Sequence, residues 1–473
     1  MKFAVPARLV ASIVALFTAL AFEAAAAAEG QKLNVLYIVA DDLNNNLSCY
    51  GHPIVKTPNI DRLAAHGVRF DRAYCNYPVC NASRTSFLSG MRPDTTGIVD
   101  NQTPPRTFLK DAPMMPEYFR KNGYTTIKVG KIFHTGPEYE DPRSWDIDIV
   151  ENSTSKKPPQ EQILREQGKS GVVLKAEDNQ TWDGFVGRKA AEYLEQSAKS
   201  GKPFFVAAGF RRPHSPYIAT EKYFDLYDGD KLSPLIGPPG HLKSIPDLAL
   251  TYRLGNAKFP GSKAGDTIAA YFAAISFMDA QVGVLLETLD RLKLRDNTIV
   301  VFHSDHGYHL GEHGGLWHKM CLFEETARVP LIVAAPGKAK NAASSGIVEL
   351  VDLYPSLADM CGLPQPAKLE GASFSELLEK PNRAWKKAAF TVVSRGENID
   401  ATKKLDANKM GRTVVTDRWR YTQWHDGSSE LYDHANDPHE WSNLAADSQH
   451  ASQRDEMRKI LAAGWQAALP TGP

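Results

Sequence analysis

Charge of one sign is what this sequence lacks. Lysine plus arginine and aspartate plus glutamate both number 55. No bulk field therefore draws the chain to nucleic acid or to an anionic membrane surface, and any positive potential must be local. Long hydrophobic runs are missing beyond the N-terminus, so no internal segment reads as a membrane anchor. No internal repeat is present, which sets solenoids and propellers aside. Cysteine is scarce at five residues in 473. Setting Cys80 apart leaves Cys49, Cys75, Cys321 and Cys361, and their spacing does not decide any pairing.

What is present begins with a leader. Lys2 and Arg8 precede an apolar stretch from Leu9 to Phe22, and Ala24 to Ala28 supply small residues for cleavage. Residues 1–28 therefore read as a signal peptide, with a mature start near Glu29 and an exported, periplasmic or extracellular protein. Apolar residues make up 42% of the chain, enough for a large core, and the length predicts one large and one small domain.

The continuous apolar run Leu33 to Val39 predicts a buried parallel strand, ending at Asp41-Asp42. Thr298 to Phe302 repeats the design and ends at Ser304-Asp305-His306-Gly307. Further strands are expected at Tyr124–Val129, Lys202–Gly209 and Val329–Val333. Helices are expected from Pro58 to Gly67, from Pro116 to Asn122-Gly123, and over about Thr267–Leu292. Pro137 to Asp178 and Asp228 to Gly265 read as surface insertions of the kind that wall a cleft. Short strands after about Lys380, at Arg412–Thr416 and Trp419–Trp424, predict a small antiparallel subdomain. The fold class is thus α/β, a large mostly parallel sheet flanked by helices, with a catalytic unit over 29–380 and a C-terminal unit over 381–473.

Chemistry concentrates at the strand ends. Two separate strands deliver Asp41-Asp42 and Asp305-His306 to the edge where open α/β sheets bind ligands. Clustered carboxylates repel unless a cation lies between them, and oxygen ligands suit Ca²⁺ or Mg²⁺; the alternative is that each Asp caps a turn. Lys131, His134, His214 and Lys319 follow strand ends on the same edge, where cations would neutralise a bound sulfate or phosphate. His303, His306, His309, His313 and His318 fall in one window, but Gly311, Gly314 and Gly315 break any helix that would align them on zinc. In Cys80-Asn81-Ala82-Ser83-Arg84 a small nucleophile and a cation one turn on sit where a loop enters a helix, among hydroxyls and N–H groups suited to an anion.

These residues together resemble a family. Asn34 to Asp42, Ser48 to Leu63, Val79 to Thr96 with Cys80 to Arg84, Tyr118 to His134, Pro213-His214, Tyr271 to Leu289, Ser304 to Lys319, Val351 to Pro355, Glu430 to Asp433 and Asn436 to Pro438 are similar, in order, to type I formylglycine-dependent sulfatases. The nearest likeness is to the iduronate-2-sulfatase branch. The resemblance implies an alkaline-phosphatase-like sandwich and a sulfuric ester hydrolase. It implies that a maturation enzyme oxidises Cys80 to formylglycine (3-oxoalanine), whose hydrate is the nucleophile. Asp41, Asp42, Asp305 and His306, with modified Cys80, would hold Ca²⁺ in preference to Mg²⁺. Arg84 would orient the hydrate, Lys131 and His134 would bind and activate it, and Lys319 and His214 would bind sulfate and assist the leaving alkoxide. The substrate implied is a sulfated carbohydrate, such as a sulfated uronic acid, with Arg106, Arg211, Trp317 and His425 as candidate walls. Three departures stand out: Ala82 for the commoner proline, His306 for the asparagine of many sulfatases, and one extra residue in Gly314 to Lys319. Two alternatives remain at this point, a phosphonate or phosphate ester hydrolase of the same superfamily, and a sulfated-glycan-binding protein with unmodified Cys80.

Overall fold

The apolar run after Leu33 forms β1 (Asn34–Asp41), every residue of which is buried. Being apolar on both faces, it takes the middle of an eight-stranded sheet. In the computed structural model, residues 32–149, 171–250, 264–396 and 405–470 are described; the predicted signal peptide 1–28 lies outside them. The other strands of this sheet are β2 (Val68–Phe70), β3 (Thr125–Gly130), β4 (Ile147–Ile149), β5 (Phe204–Pro213), β6 (Thr298–Ser304), β7 (Leu331–Ala334) and β8 (Ala342–Ser344). Their order is β8-β2-β7-β6-β1-β5-β3-β4. β1 runs parallel to β5 and β6, and β3 runs parallel to β5 and β4. Four C-terminal strand ends, those of β1, β6, β5 and β3, therefore lie side by side.

Helices cover both faces. Cys80–Ser89 and Met115–Lys121 lie on one side, Pro58–Ala65, Trp182–Ser200 and Ala264–Arg291 on the other; in chain order they are α1 (Pro58–Ala65), α2 (Cys80–Ser89), α3 (Met115–Lys121), α4 (Trp182–Ser200) and α5 (Ala264–Arg291). Leu36, Ile38 and Ala40 of β1 pack in one core with Val186 and Leu194 of α4 and Phe277 and Leu286 of α5. Val35, Tyr37 and Val39 pack in a second core with Phe87 of α2 and Phe119 of α3. Each large side chain so buried contributes about 1.5–3 kcal/mol. α5 is long and apolar enough to cross a membrane, but 89% of its most apolar window is buried inside the protein, so it is a core helix here. It also supports α1, whose Pro58 starts the helix: the Asp279 carboxylate accepts the backbone N–H of Asn59 (3.1 Å) and Ile60 (2.8 Å). A carboxylate on those orphan donors does the work of a helix cap, supplied by another element.

The expected strands and helices form with two corrections. Val329–Val333 is not one strand. Pro330 offers no N–H and separates Arg328–Val329, which joins a small sheet with Ala73–Tyr74 and Val348–Glu349, from β7, which is antiparallel to β6. The Pro137–Asp178 stretch is not all surface loop. Its described part supplies β4 at the sheet edge, and Gly171–Leu174 pairs in parallel with Tyr217–Thr220. All five cysteines are free.

The C-terminal part is a four-stranded antiparallel meander of β9 (Ala389–Gly396), β10 (Leu405–Val415), β11 (Trp419–Trp424) and β12 (Ser429–Asp433). A helix absent from the sequence reading, α6 (Ala451–Ala468), covers it through Met457, Ile460, Leu461 and Trp465.

Gly130 and Gly209 allow a close backbone approach where β3 ends beside β5. Gly130 has φ 83°, and a Cβ on Gly209 would lie 2.1 Å from the Lys131 carbonyl oxygen. Gly209→Ala is expected to destabilise the fold by about 3 kcal/mol and to displace Lys131. Thermal melting alongside activity would check both effects; an unchanged melting temperature would show that the backbone yields there.

Candidate active site

The parallel register sets Ala40 opposite Ser304, so Asp41-Asp42 and Asp305-His306 leave adjacent strands together. Asp42 takes a left-handed φ of 64°. Its carbonyl accepts a 2.7 Å hydrogen bond from the Tyr271 hydroxyl, and its N–H donates to Asp305 Oδ1 at 3.2 Å. Such strain persists only where surrounding groups over-determine the backbone.

Cys80 opens α2 after the extended Val79, and all ten residues of this helix are buried. Its Sγ lies 3.4 Å from Asp41 Oδ1, 3.4 Å from His306 Nε2 and 3.2 Å from Lys319 Nζ. One turn on, Arg84 donates from Nε to Asp305 Oδ2 (2.9 Å), from Nη2 to Asp41 Oδ1 (3.2 Å), and from Nη1 to the carbonyls of Lys131 and Ile132. Lys131 Nζ donates to Asp41 Oδ2 at 2.6 Å, and Lys319 Nζ to Asp42 Oδ1 at 2.5 Å. Three carboxylates thus meet three permanent cations. His214 stands at the rim, its Nε2 3.9 Å from Asp42 Oδ2 and its Nδ1 bonded to the Ser215 carbonyl at 2.6 Å.

Electrostatics sort these groups. Burial, reinforced by Asp41, pushes the Cys80 thiol up to about 12 against the pull of Lys131 and Lys319. The α2 N-terminus does not produce a thiolate, so unmodified Cys80 is a poor nucleophile at neutral pH. Burial opposes ionisation of Asp42, yet His214 and Lys319 hold it down at about 2. Asp41 lies well below the usual carboxylate range because Lys131, His214 and Arg84 outweigh its burial. Burial and then the Lys131 ammonium press His134 down to about 3, so its ring is neutral. Its Nδ1 has no hydrogen-bond partner among the described residues. Burial also lowers His214, with Asp42 opposing and Lys319 adding to the effect.

The donor set fits a hard divalent cation. Ligand atoms of Asp41, Cys80, Asp305 and His306 lie within 4.8 Å of one another, as do those of Asp41, Asp42, Cys80 and His214. His306 Nδ1 is bonded to the Gly307 carbonyl (2.9 Å), which can only accept, so Nδ1 carries the hydrogen. Its Nε2 then faces Asp42 Oδ1 at 3.3 Å and Asp305 Oδ2 at 3.7 Å. A positive charge belongs between that nitrogen and the carboxylate oxygens, and a divalent cation would supply it. The other histidines of that window scatter: His303 Nε2 meets the Tyr37 hydroxyl, His309 meets Glu312, and His313 stacks on Phe323. No zinc cluster forms among them.

Of the four candidate walls, Arg211 reaches the site. With Lys131, His134, Phe133, Glu140 and Trp182 it lines a cavity of about 170 Å³. The Asp183 carboxylate holds the Arg211 and Arg212 backbone N–H groups at 3.0 and 2.8 Å. Two of the others, Arg106 and Trp317, need correction. Arg106 is consumed by the fold: Nη2 binds Asp141 (2.5 Å) and Glu117 (3.0 Å), and Nη1 binds the carbonyls of Leu109 and Ala112. Trp317 is buried in the core beside Tyr217 rather than facing a substrate. His425 is exposed in the turn after β11. Arg106→Ala is accordingly expected to lower the melting temperature by several degrees, for about 2 kcal/mol lost, and to leave KM unchanged. Trp182 escaped the sequence reading because it opens a helix, where neither spacing nor composition marks it.

Comparison with known proteins agrees with this geometry. Residues 33–363 match the sulfatase family model, and residues 311–466 match the N-sulphoglucosamine sulphohydrolase C-terminal model. A sulfatase of Formosa agariphila is 33% identical, covering 93% of this chain and 89% of that protein. The iduronate 2-sulfatase of Mus musculus is 30% identical over 90% of this chain and 93% of its own length. In fold, the phosphonate monoester hydrolase of Agrobacterium radiobacter superposes with a TM-score of 0.78 at 21% identity, over 92% of this chain and 96% of that one. The chain therefore belongs to the sulfatase family and is a sulfuric ester hydrolase.

Proposed function

We propose that this sulfatase is exported and removes O-sulfate from a carbohydrate, with Cys80 converted to formylglycine by a maturation enzyme. The observation that carries the reading is the environment of Cys80. Its thiol is held protonated, yet it sits within hydrogen-bonding reach of Asp41, His306 and Lys319. Asp41, Asp42, Asp305 and His306 would hold a Ca²⁺ ion, which supplies positive charge to sulfate oxygens; formylglycine supplies a geminal diol in place of the thiol.

The side chains have separable tasks. Arg84, Lys131 and Lys319 already balance Asp41, Asp42 and Asp305 one for one, so an added divalent cation leaves the site net positive toward an anion. Lys319, 3.2 Å from Cys80 Sγ, is placed to hold a sulfate oxygen beside the nucleophile. His134 has an Nδ1 without a partner among the described residues, and an anion bound beside Lys131 would raise its proton affinity from about 3 toward the range a general base needs. Burial lowers the proton affinity of His214 in the resting protein, with Asp42 opposing. An anion bound between it and Lys319 would favour its protonated form, so that the ring can give a proton to the leaving alkoxide.

Residues 1–28 support export. The carbohydrate rests on the relative named for iduronate, and on the small cavity that places Arg211 and the Trp182 ring beside Lys131. Mass spectrometry of the tryptic peptide ending at Arg84, on protein from the native host, tests the modification; an intact thiol at Cys80 would refute it. Comparing kcat/KM on an aryl sulfate with that on an aryl phosphate diester tests the reaction, and a strong preference for phosphorus would favour the ester hydrolase alternative. A screen of defined sulfated mono- and disaccharides tests the sugar.

A further inference from the structure

We propose that Arg395, on the C-terminal sheet, is a positioning residue for Lys319. The proposal rests on the reading that Lys319 holds the sulfate. The residue after Lys319 is Met320, fully buried and left-handed at φ 69°. A non-glycine residue in that region costs about 1–3 kcal/mol, so neighbours must hold it there. Two hydrogen bonds do so from opposite sides. The Met320 N–H donates to the Pro78 carbonyl at 3.0 Å, two residues before Cys80. The Met320 carbonyl accepts from Arg395 Nη1 at 2.9 Å.

Arg395 is itself fixed. It is 1% exposed, its Nε donates to the Leu248 carbonyl at 2.9 Å, and its guanidinium lies 4.5 Å from the centre of the Trp424 ring. It follows a register shift in the pairing of β9 with β10, between Ser394 and Arg395. Such a shift re-aims a side chain that a regular strand would send elsewhere. The two peptide units flanking Met320 therefore join the segment leading to the nucleophile, the loop carrying Lys319 and the C-terminal sheet. From there Lys319 reaches Asp42 Oδ1 and Cys80 Sγ. If Met320 relaxed to an ordinary φ, the direction in which Lys319 leaves the chain would turn, and Nζ would move off both atoms.

A double-mutant cycle separates positioning from general stabilisation. kcat and KM on an aryl sulfate are measured for Arg395→Met and Arg395→Lys, each in the wild-type and the Lys319→Ala background, with a thermal melt of every variant. Arg395→Met should lower kcat about 10–100-fold in the wild-type background, the scale of a small misplacement. It should cost nothing further once Lys319 is alanine. Arg395→Lys keeps a cation over Trp424 but cannot reach two carbonyls, and should show the same coupling with a smaller loss. If Arg395→Met does not fold, the lysine variant decides through the same cycle. Equal losses in both backgrounds, or full activity of Arg395→Met, would overturn the positioning role. Undiminished kcat in Lys319→Ala alone would remove the sulfate-binding reading of Lys319, and the proposal with it.

Discussion

Cys80→Ala should lose about 10⁴–10⁶-fold in kcat on an aryl sulfate, the scale seen when a covalent nucleophile is removed. Its melting temperature should stay within a few degrees of wild type. The two outcomes follow from different parts of the structure. Cys80 is 1% exposed at the first turn of α2, and losing one sulfur leaves a small void beside polar groups that water can fill. The helix is held by other contacts: Ser83 Oγ donates to the Asp305 carbonyl at 2.5 Å, Arg84 spans Asp41 and Asp305, and Asn81 donates to the carbonyls of Asp100 and Thr103. Activity has no such reserve, because among the described residues no other thiol lies against the three cations. A readout besides turnover separates formylglycine from a working thiol. Denatured protein from the native host should react with a hydrazide probe, which requires an aldehyde, and the Cys80→Ala variant should not. Equal labelling of both, or a Cys80→Ala enzyme with more than about 1% of wild-type kcat, would show that the catalytic oxygen comes from elsewhere.

Most of this site could be read from the chain because it is built on strand ends. A buried parallel strand announces itself as an unbroken apolar run, and the residue at which the run stops is then a residue at the sheet edge. Asp41-Asp42 and Asp305-His306 were found by that reasoning, and the Ala40–Ser304 register brings them together. Cys80 and Arg84 were legible for a similar reason, since four residues make one helical turn and put both side chains over the same strand ends. Groups whose role depends on a partner distant in sequence were not legible. Arg106 has the composition of an anion-binding residue, but Asp141 lies 35 residues on and takes its guanidinium. Trp317 stands two residues from Lys319, yet the turn from Gly311 to Leu316 directs it to Tyr217 and the core. Arg395 lies 75 residues from the carbonyl it holds, and only the register shift of β9 aims it there. Local pattern locates strand ends and helix turns; long-range pairing decides which charged side chains remain available for chemistry.

Glu349→Gln should remove about 3–5 kcal/mol of stability, a large share of the roughly 5–15 kcal/mol that holds a typical domain. Glu349 is 1% exposed at the end of Val348–Glu349. Its two oxygens accept from both Arg92 Nη atoms at 2.6 Å, from Lys386 Nζ at 2.7 Å, from Asn76 at 3.1 Å and from the Phe390 N–H at 2.9 Å. The amide keeps the shape but leaves the buried Arg92 and Lys386 without the carboxylate they share, with Asp352 still paired to Lys386. The wild-type protein should show the same network in its acid dependence. Burial opposes its charge, but Arg92 and Lys386 hold Glu349 at about 2, below the ordinary 4.5. A depressed carboxylate contributes stability that is fully present above about pH 4.5 and is lost as pH falls toward 2. That shift corresponds to about 3 kcal/mol at most. Asp352, raised by burial, titrates in the opposite sense and offsets part of it. Urea denaturation at pH 7 and at pH 3 should therefore show a smaller loss on acidification in Glu349→Gln than in wild type; parallel losses would place the acid sensitivity elsewhere. The same substitution tests how far the C-terminal sheet serves catalysis. Phe390 and Arg395 both lie on β9, so releasing the Phe390 N–H from Glu349 loosens the strand that holds the Met320 carbonyl. Glu349→Gln protein that is still folded should therefore show a reduced kcat, although Glu349 belongs to none of the groups around Cys80.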